Sequence, residues 1–156
     1  MSTVNEKTNE VLNDLVRINN DRIEGYTRAQ KESEGNAPEL ISTFQGMIKQ
    51  SKNCVTDLRE LIIKGGGTVA EGSTFMGKIY RTWMDLRVTF GGGDKKHILA
   101  SCEFGEDAAQ RAYKMAQEET DLSQEAKILV SNQKSDLRKS HDLIKKYRDQ
   151  QVAASH

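Results

Sequence analysis

Glu106, His141, Cys54 and Cys102 are the side chains of this chain best placed for chemistry, because each falls on or beside an apolar stripe with helical spacing. A carboxylate, an imidazole and thiols can ligate a metal, move a proton or attack as nucleophiles. His141 is the one histidine expected to face inward. His97 stands at a helix start and His156 in the tail, so no Ser-His-Asp or Cys-His arrangement is readable. The glycine triplets in GGGTVAEGST and FGGGDKKH could suggest a phosphate loop. Both lack the G-x-x-x-x-G-K-[ST] pattern and neither follows a strand, so they read as helix stops and hinges.

The elements that must position these groups follow from composition and periodicity. The chain has 156 residues, with 23 Lys+Arg against 23 Asp+Glu and zero formal net charge. That length suggests one domain over residues 1–156. Balanced charge gives no overall attraction to nucleic acid or anionic lipid. Leu, Ile, Val and Phe make up about a fifth of the residues. This is lean, but the high net charge of a disordered chain is absent. No run approaches a transmembrane helix, and the polar start MSTVNEKTNE lacks a signal-peptide core, so a cytoplasmic protein without membrane insertion is expected. Two cysteines are too few for a disulfide scaffold and read as reduced, buried thiols.

Residues at three- and four-residue steps predict an all-α chain. The first helix spans about 3–34, opened by a Thr3-x-x-Glu6 capping box and carrying Leu12, Leu15, Val16, Ile23 and Tyr26 on one stripe. The second spans about 37–64. Asn36 and Pro38 are expected to restart it, Phe44, Met47 and Leu58 to line one row, and Ile41, Ile48, Val55 and Ile62 the next. Gly65, Gly66 and Gly67 stop it. Two further long helices are expected at about 94–119, capped by Asp94, and 121–149, opened by Asp121-x-x-Gln124. Between the glycine triplets, Phe75, Ile79, Trp83, Leu86 and Phe90 predict a short fifth helix at 74–90. Short turns make helices 1–2 and 3–4 antiparallel hairpins, and the long crossover makes helices 2 and 3 parallel.

The two hairpins look like copies of one another. A shift of 87 residues aligns NNDRIEGY with EDAAQRAY, so Asn19 meets Glu106 and Tyr26 meets Tyr113; a shift of 86 aligns Phe44, Ser51 and Leu58 with Val130, Leu137 and Ile144. The inward acidic residue with a tyrosine seven positions on, in a doubled hairpin with a long crossover, resembles the ferritin-like superfamily. NNDRIEGY, GKIYRTWMD and CEFGEDAAQRAY are similar to an uncharacterised bacterial four-helix-bundle family, a domain of unknown function. The resemblance covers about residues 5–149 and implies a ferritin-like bundle; it brings no established activity with it.

Active ferritin-like sites hold two metal ions between a Glu from each of two helices and Glu-x-x-His from each of the other two. At the positions this resemblance implies, Asn19 replaces one Glu and Glu106 retains the other. Ser51-x-x-Cys54 or Gln50-x-x-Asn53, and Leu137-x-x-Ser140 beside His141, replace the Glu-x-x-His pairs. Two divalent ions would lack charge compensation there. No cofactor is therefore expected; any that bound would be a divalent metal ion, held at Glu106 and His141 with Asn19, Cys54 or Cys102. The preferred expectation is a polar core layer of Asn19, Tyr26, Ser51, Glu106, Tyr113 and His141, fixing helix register. Cys54 and Cys102 could form a redox pair, but separate core thiols are favoured. Phe75, Tyr80, Trp83 and Phe90 either cover the bundle or form an interface for a second copy. The sequence thus points to a non-catalytic, homodimeric bundle with a structural, interaction or stress-associated role and no nucleic-acid partner. A metal-binding protein with weak oxidase or storage activity is the alternative.

Overall fold

The computed structural model describes residues 4–71 and 94–154. They form four α-helices: α1 Val4–Asn36, α2 Ile41–Lys64, α3 Lys95–Glu118 and α4 Gln124–Ala154, with a short 3-10 turn at Pro38–Leu40. No strand occurs among the described residues. The expected helix at 74–90, with Phe75, Tyr80, Trp83 and Phe90, lies outside them, as does Thr3 of the first capping box.

Polar contacts give the direction of each helix. Asn9 at the start of α1 donates to the Gly65 carbonyl at the end of α2, at 3.4 Å, so the first pair is antiparallel. Going up α1, Lys7, Asn19 and Arg22 meet Glu119, Tyr113 and Glu106, so α1 and α3 are antiparallel too. Gln50 lies beside Asp136 and Lys64 beside Glu125, which makes α2 and α4 antiparallel. Hence α2 and α3 run parallel. Gly65 ends beside the start of α1, whereas Lys95 starts at the opposite end, 2.8 Å from Glu39. Asn13 holds the chain that leaves α2: its amide donates to the Thr68 carbonyl at 2.8 Å and accepts from the Ala70 N–H at 2.7 Å.

Helix ends follow local chemistry, with corrections. The Gly66 N–H bonds the Ile63 carbonyl and the Gly67 N–H that of Ile62, which is the pairing of a Schellman stop. Gly66 has φ 78°, a conformation that only glycine adopts without strain. Asp94 caps α3 as expected, accepting from the His97 N–H at 2.9 Å. Asn36 does not cap the second helix. It is the last residue of α1 and donates to Glu32, while Ala37 precedes the 3-10 turn without a side-chain cap. α2 therefore begins at Ile41, later than expected. Likewise Ser123, not Asp121, caps α4, accepting from the Ala126 N–H at 3.2 Å. α4 also runs on to Ala154 rather than ending near 149.

The core falls into two apolar clusters. One, around Leu12, Leu15, Leu58, Ile62, Tyr113 and Val130, occupies the half where α1 starts. The other joins Tyr26, Phe44, Leu99, Cys102 and Ile144 in the opposite half. The α2 residues Ile41, Ile48 and Val55 are only partly buried, because α2 turns a single row (Phe44, Met47, Ser51, Cys54, Leu58 and Ile62) fully inward. The aligned hairpin positions share burial: Asn19 with Glu106, Tyr26 with Tyr113, Ser51 with Leu137 and Leu58 with Ile144 are all at most 1% exposed.

Candidate functional site

Between the two clusters lies a polar layer with a buried ion pair at its centre. Arg22 of α1 is 2% exposed and Glu106 of α3 is 1% exposed. The Arg22 Nε donates to Glu106 Oε1 at 2.5 Å. Its Nη1 donates to Ser51 Oγ at 2.8 Å and to the Met47 carbonyl at 3.2 Å, so one guanidinium ties α1 to both α2 and α3. The group also stands over the Tyr26 ring, 5.1 Å from the centroid, where the ring face attracts a cation. Burial by itself would favour loss of the Arg22 proton. The charge of Glu106, then Tyr26, outweighs it, and the pKa rises above the ordinary value. Arg22 is a fixed cation.

A second strand of the layer runs through Asn19. Its Nδ2 donates to the Leu15 carbonyl and to the Tyr113 hydroxyl, both at 2.9 Å. Tyr113 donates in turn to Gln133 Oε1 at 2.6 Å, and Gln133 donates to the Cys54 carbonyl at 3.2 Å. Burial raises the pKa of both tyrosines, with Glu106 adding to the effect at Tyr26 and Cys54 at Tyr113. The repeat is visible here as well: Asn19 bonds Tyr113, while its mate Glu106 acts on Tyr26. The symmetry breaks at Arg22, whose aligned position is the buried Ala109.

Asn19, Tyr26, Ser51, Glu106 and Tyr113 thus come together. His141 does not join them. It is 13% exposed at the α3–α4 seam, with Nε2 2.5 Å from Asp107 Oδ1 and Nδ1 3.1 Å from Asp142 Oδ1. Burial lowers its pKa, but the hydrogen bonds to Asp142 and Asp107 raise it more, to a value above the usual one. Cys54 and Cys102 are free, buried thiols on the diagonally placed α2 and α3. Burial pushes Cys54 up to about 11 and raises Cys102 well above the ordinary thiol value, with Glu106 adding to the second.

Periodicity had a signal for Arg22. It lies three residues after Asn19 and four before Tyr26, on the same helical row. Gln133 similarly lies three after Val130 and four before Leu137. Both are long polar side chains whose burial depends on partners from other helices.

The donor set does not fit the di-metal centre that the ferritin-like resemblance implies. The surviving carboxylate already faces a guanidinium, which supplies the positive charge and repels a second cation. Glu106 also acts on the Tyr26 hydroxyl and the Cys102 thiol, and its guanidinium partner is held by the Ser51 hydroxyl and the Met47 sulfur. His141 meets its two carboxylates through opposite ring nitrogens, so they cannot share one ion with it. Among the described residues, no group of three or more His, Cys, Asp or Glu is arranged to hold a metal.

A family model, described as a domain of unknown function (DUF2383), matches residues 7–119. The chain belongs to this family. The match takes in α1, α2 and α3, and so Asn19, Arg22, Ser51, Glu106 and Tyr113 of the polar layer. No curated protein and no solved structure gives a significant match. Among the described residues, no helix of this DUF2383 chain is long and apolar enough to cross a membrane.

Proposed function

We propose that the chain is a non-catalytic bundle of the ferritin-like superfamily, one domain in a bacterial cytoplasmic protein. It works as a homodimer in a structural, interaction or stress-associated role, with no cofactor and no nucleic-acid partner. The stress-associated element is an analogy with ferritin-like relatives. The antiparallel hairpins, parallel α2 and α3, and matched burial of the two halves support the superfamily reading. Two buried free thiols suit a reducing compartment.

The observation that carries the non-catalytic reading is the Arg22–Glu106 pair. An acid-base catalyst needs a reachable proton and a metal enzyme needs an open coordination position. Here the carboxylate is enclosed and its charge is balanced internally by a guanidinium. Both ends of the pair are used for holding helices together.

The test is metal analysis of the chain expressed in medium supplemented with iron, manganese and zinc, alongside Glu106→Ala. Wild-type protein is expected to carry no stoichiometric metal, and the variant to unfold at lower denaturant concentration. Stoichiometric metal that disappears in Glu106→Ala would overturn the proposal in favour of a metal-binding store or weak oxidase.

A further inference from the structure

The side of the bundle formed by α1 and α3 is covered in one half and open in the other. From His97 to Gln110 no residue of α3 is exposed, although nearly four turns of helix sample every direction around its axis. Farther along the same helix Arg111, Lys114, Met115, Gln117 and Glu118 are all exposed. α3 packs against α1 and α4, which leaves an outer side that neither reaches. Ser101, Gly105 and the half-buried Ala108 recur on that side at three- and four-residue steps, beside the core row of Cys102, Glu106 and Ala109.

α1 repeats the pattern at the same height. Ile18, Asp21 and Gly25 form a second buried row. At about 100° per residue, Asp21 lies on the opposite side of α1 from Asn19, which bonds Tyr113 in the core. Asp21 is nevertheless 0% exposed. A carboxylate wholly out of water needs a counter-charge or a proton. One turn earlier on the same row, Ile18 is still buried, but Asp14 is exposed.

The chain that joins α2 to α3 is anchored to these two helices. The Ala70 N–H is held by Asn13 of α1, and Lys95 meets Glu39 at the opposite end. With Arg22 level with Glu106, the two anchors lie about 30 Å apart along the bundle, and a helix over 74–90 would be about 25 Å long. Residues 72–93 lie outside the described residues. Their sequence carries the apolar row Phe75, Ile79, Trp83, Leu86 and Phe90, and sets Lys78, Arg81 and Arg87 against Asp85.

We propose that residues 72–93 pack lengthwise on the α1–α3 face in the half where α1 ends, with Arg81 paired to Asp21. Asp21 stands eight residues, about 12 Å, beyond Asn13, which is the height that a helix from 74 reaches near Arg81. Gly25 and Gly105 carry no side chain and so allow close approach of the apolar row. A second copy is not needed to bury Asp21, because the single chain already does so.

Trp83 is the only tryptophan of the chain, so its fluorescence reports on this segment alone. In the full chain its emission is expected at shorter wavelength than in the urea-unfolded chain. Acrylamide quenching should be weak and should stay so on dilution from about 100 to 1 μM. Ala108→Glu, Asp21→Arg and Arg81→Asp should each move the emission to longer wavelength and strengthen quenching, with helical circular dichroism retained. Combining Asp21→Arg with Arg81→Asp should restore the wild-type values, and Met115→Glu, in the open half, should change neither. Solvent-like emission in the wild-type chain, shielding lost on dilution (a second copy as the cover), indifference to Ala108→Glu, or a charge-swapped pair no better than its single variants would each overturn the proposal.

Discussion

Arg22 and Glu106 meet across 84 residues of sequence, with both charges removed from water. Desolvating two ions opposes folding by several kcal/mol per ion, and their attraction offsets this only with the remaining donors satisfied. Ser51 and the Met47 carbonyl take Arg22 Nη1, while Tyr26 supplies a ring face. Glu106 Oε2, by contrast, has no hydrogen-bond partner among the described residues. The pair is therefore better understood as a device for register than as a source of net stability. This gives a double-mutant expectation. Arg22→Met and Glu106→Leu should each destabilise the chain by about 3–5 kcal/mol, because each leaves one buried charge alone. The combined variant should cost much less than the sum, as measured by urea unfolding at constant m-value. Additive losses would mean that the two side chains do not act as a pair.

At the scale of helices, the seam between α3 and α4 is fastened by His141. Carboxylates accept hydrogen bonds and cannot donate when ionised, so Asp107 and Asp142 on the two ring nitrogens require both nitrogens to carry protons. The doubly protonated ring agrees with the raised His141 pKa. A folded-state pKa above the unfolded one means stability that is fully present below the ordinary imidazole value of 6.5 and is lost as pH rises through the higher folded value. The carboxylates are about half exposed, which limits the contribution to about 1 kcal/mol or less. Chemical denaturation across this window should show the loss, and Asp107→Asn should flatten it; an unaltered pH profile in that variant would contradict the assignment. Elsewhere at this scale, the α3 cap was legible because Asp94 acts on a residue three positions away. The start of α2 was not, since the 3-10 turn at Pro38–Leu40 takes up the residues that resemble a capping motif.

For the whole molecule, the doubled hairpin places an apolar cluster in each half and polar side chains between them. Cys54 and Cys102 belong to opposite diagonal helices of this arrangement, and both are buried, Cys102 completely and Cys54 with 6% of its surface exposed. With their thiols pushed toward the protonated state, native alkylation at mildly alkaline pH should be slow at both positions. Under slow-labelling conditions the two rates should coincide and follow global stability, since both lie in the cooperative core. Mass-spectrometric labelling across a denaturant series checks this. A fast native reaction at one thiol alone would reveal local opening that the packing does not provide for.

Much of this organisation could be read from short-range pattern. Leu12, Leu15, Tyr26, Phe44, Leu58, Tyr113, Val130 and Ile144 recur at helical steps, and all are buried. The pairing of Asn19 with Glu106 as repeat mates pointed to a polar layer, but not to its composition. Arg22 stands on the right row, but hydropathy alone sorts arginine to the surface. His141 stood on a plausible row and lies at a seam instead, because an adjacent helix supplies Asp107 there. The sequence alone determined the four described helices, their approximate stops and the pairing of similar positions in the two hairpins, since periodicity, caps and glycines act within a few residues. Only the tertiary structure decided the partner of Glu106: whether a buried carboxylate meets a metal, a tyrosine or a guanidinium depends on which helix faces it, and that contact spans most of the bundle sequence.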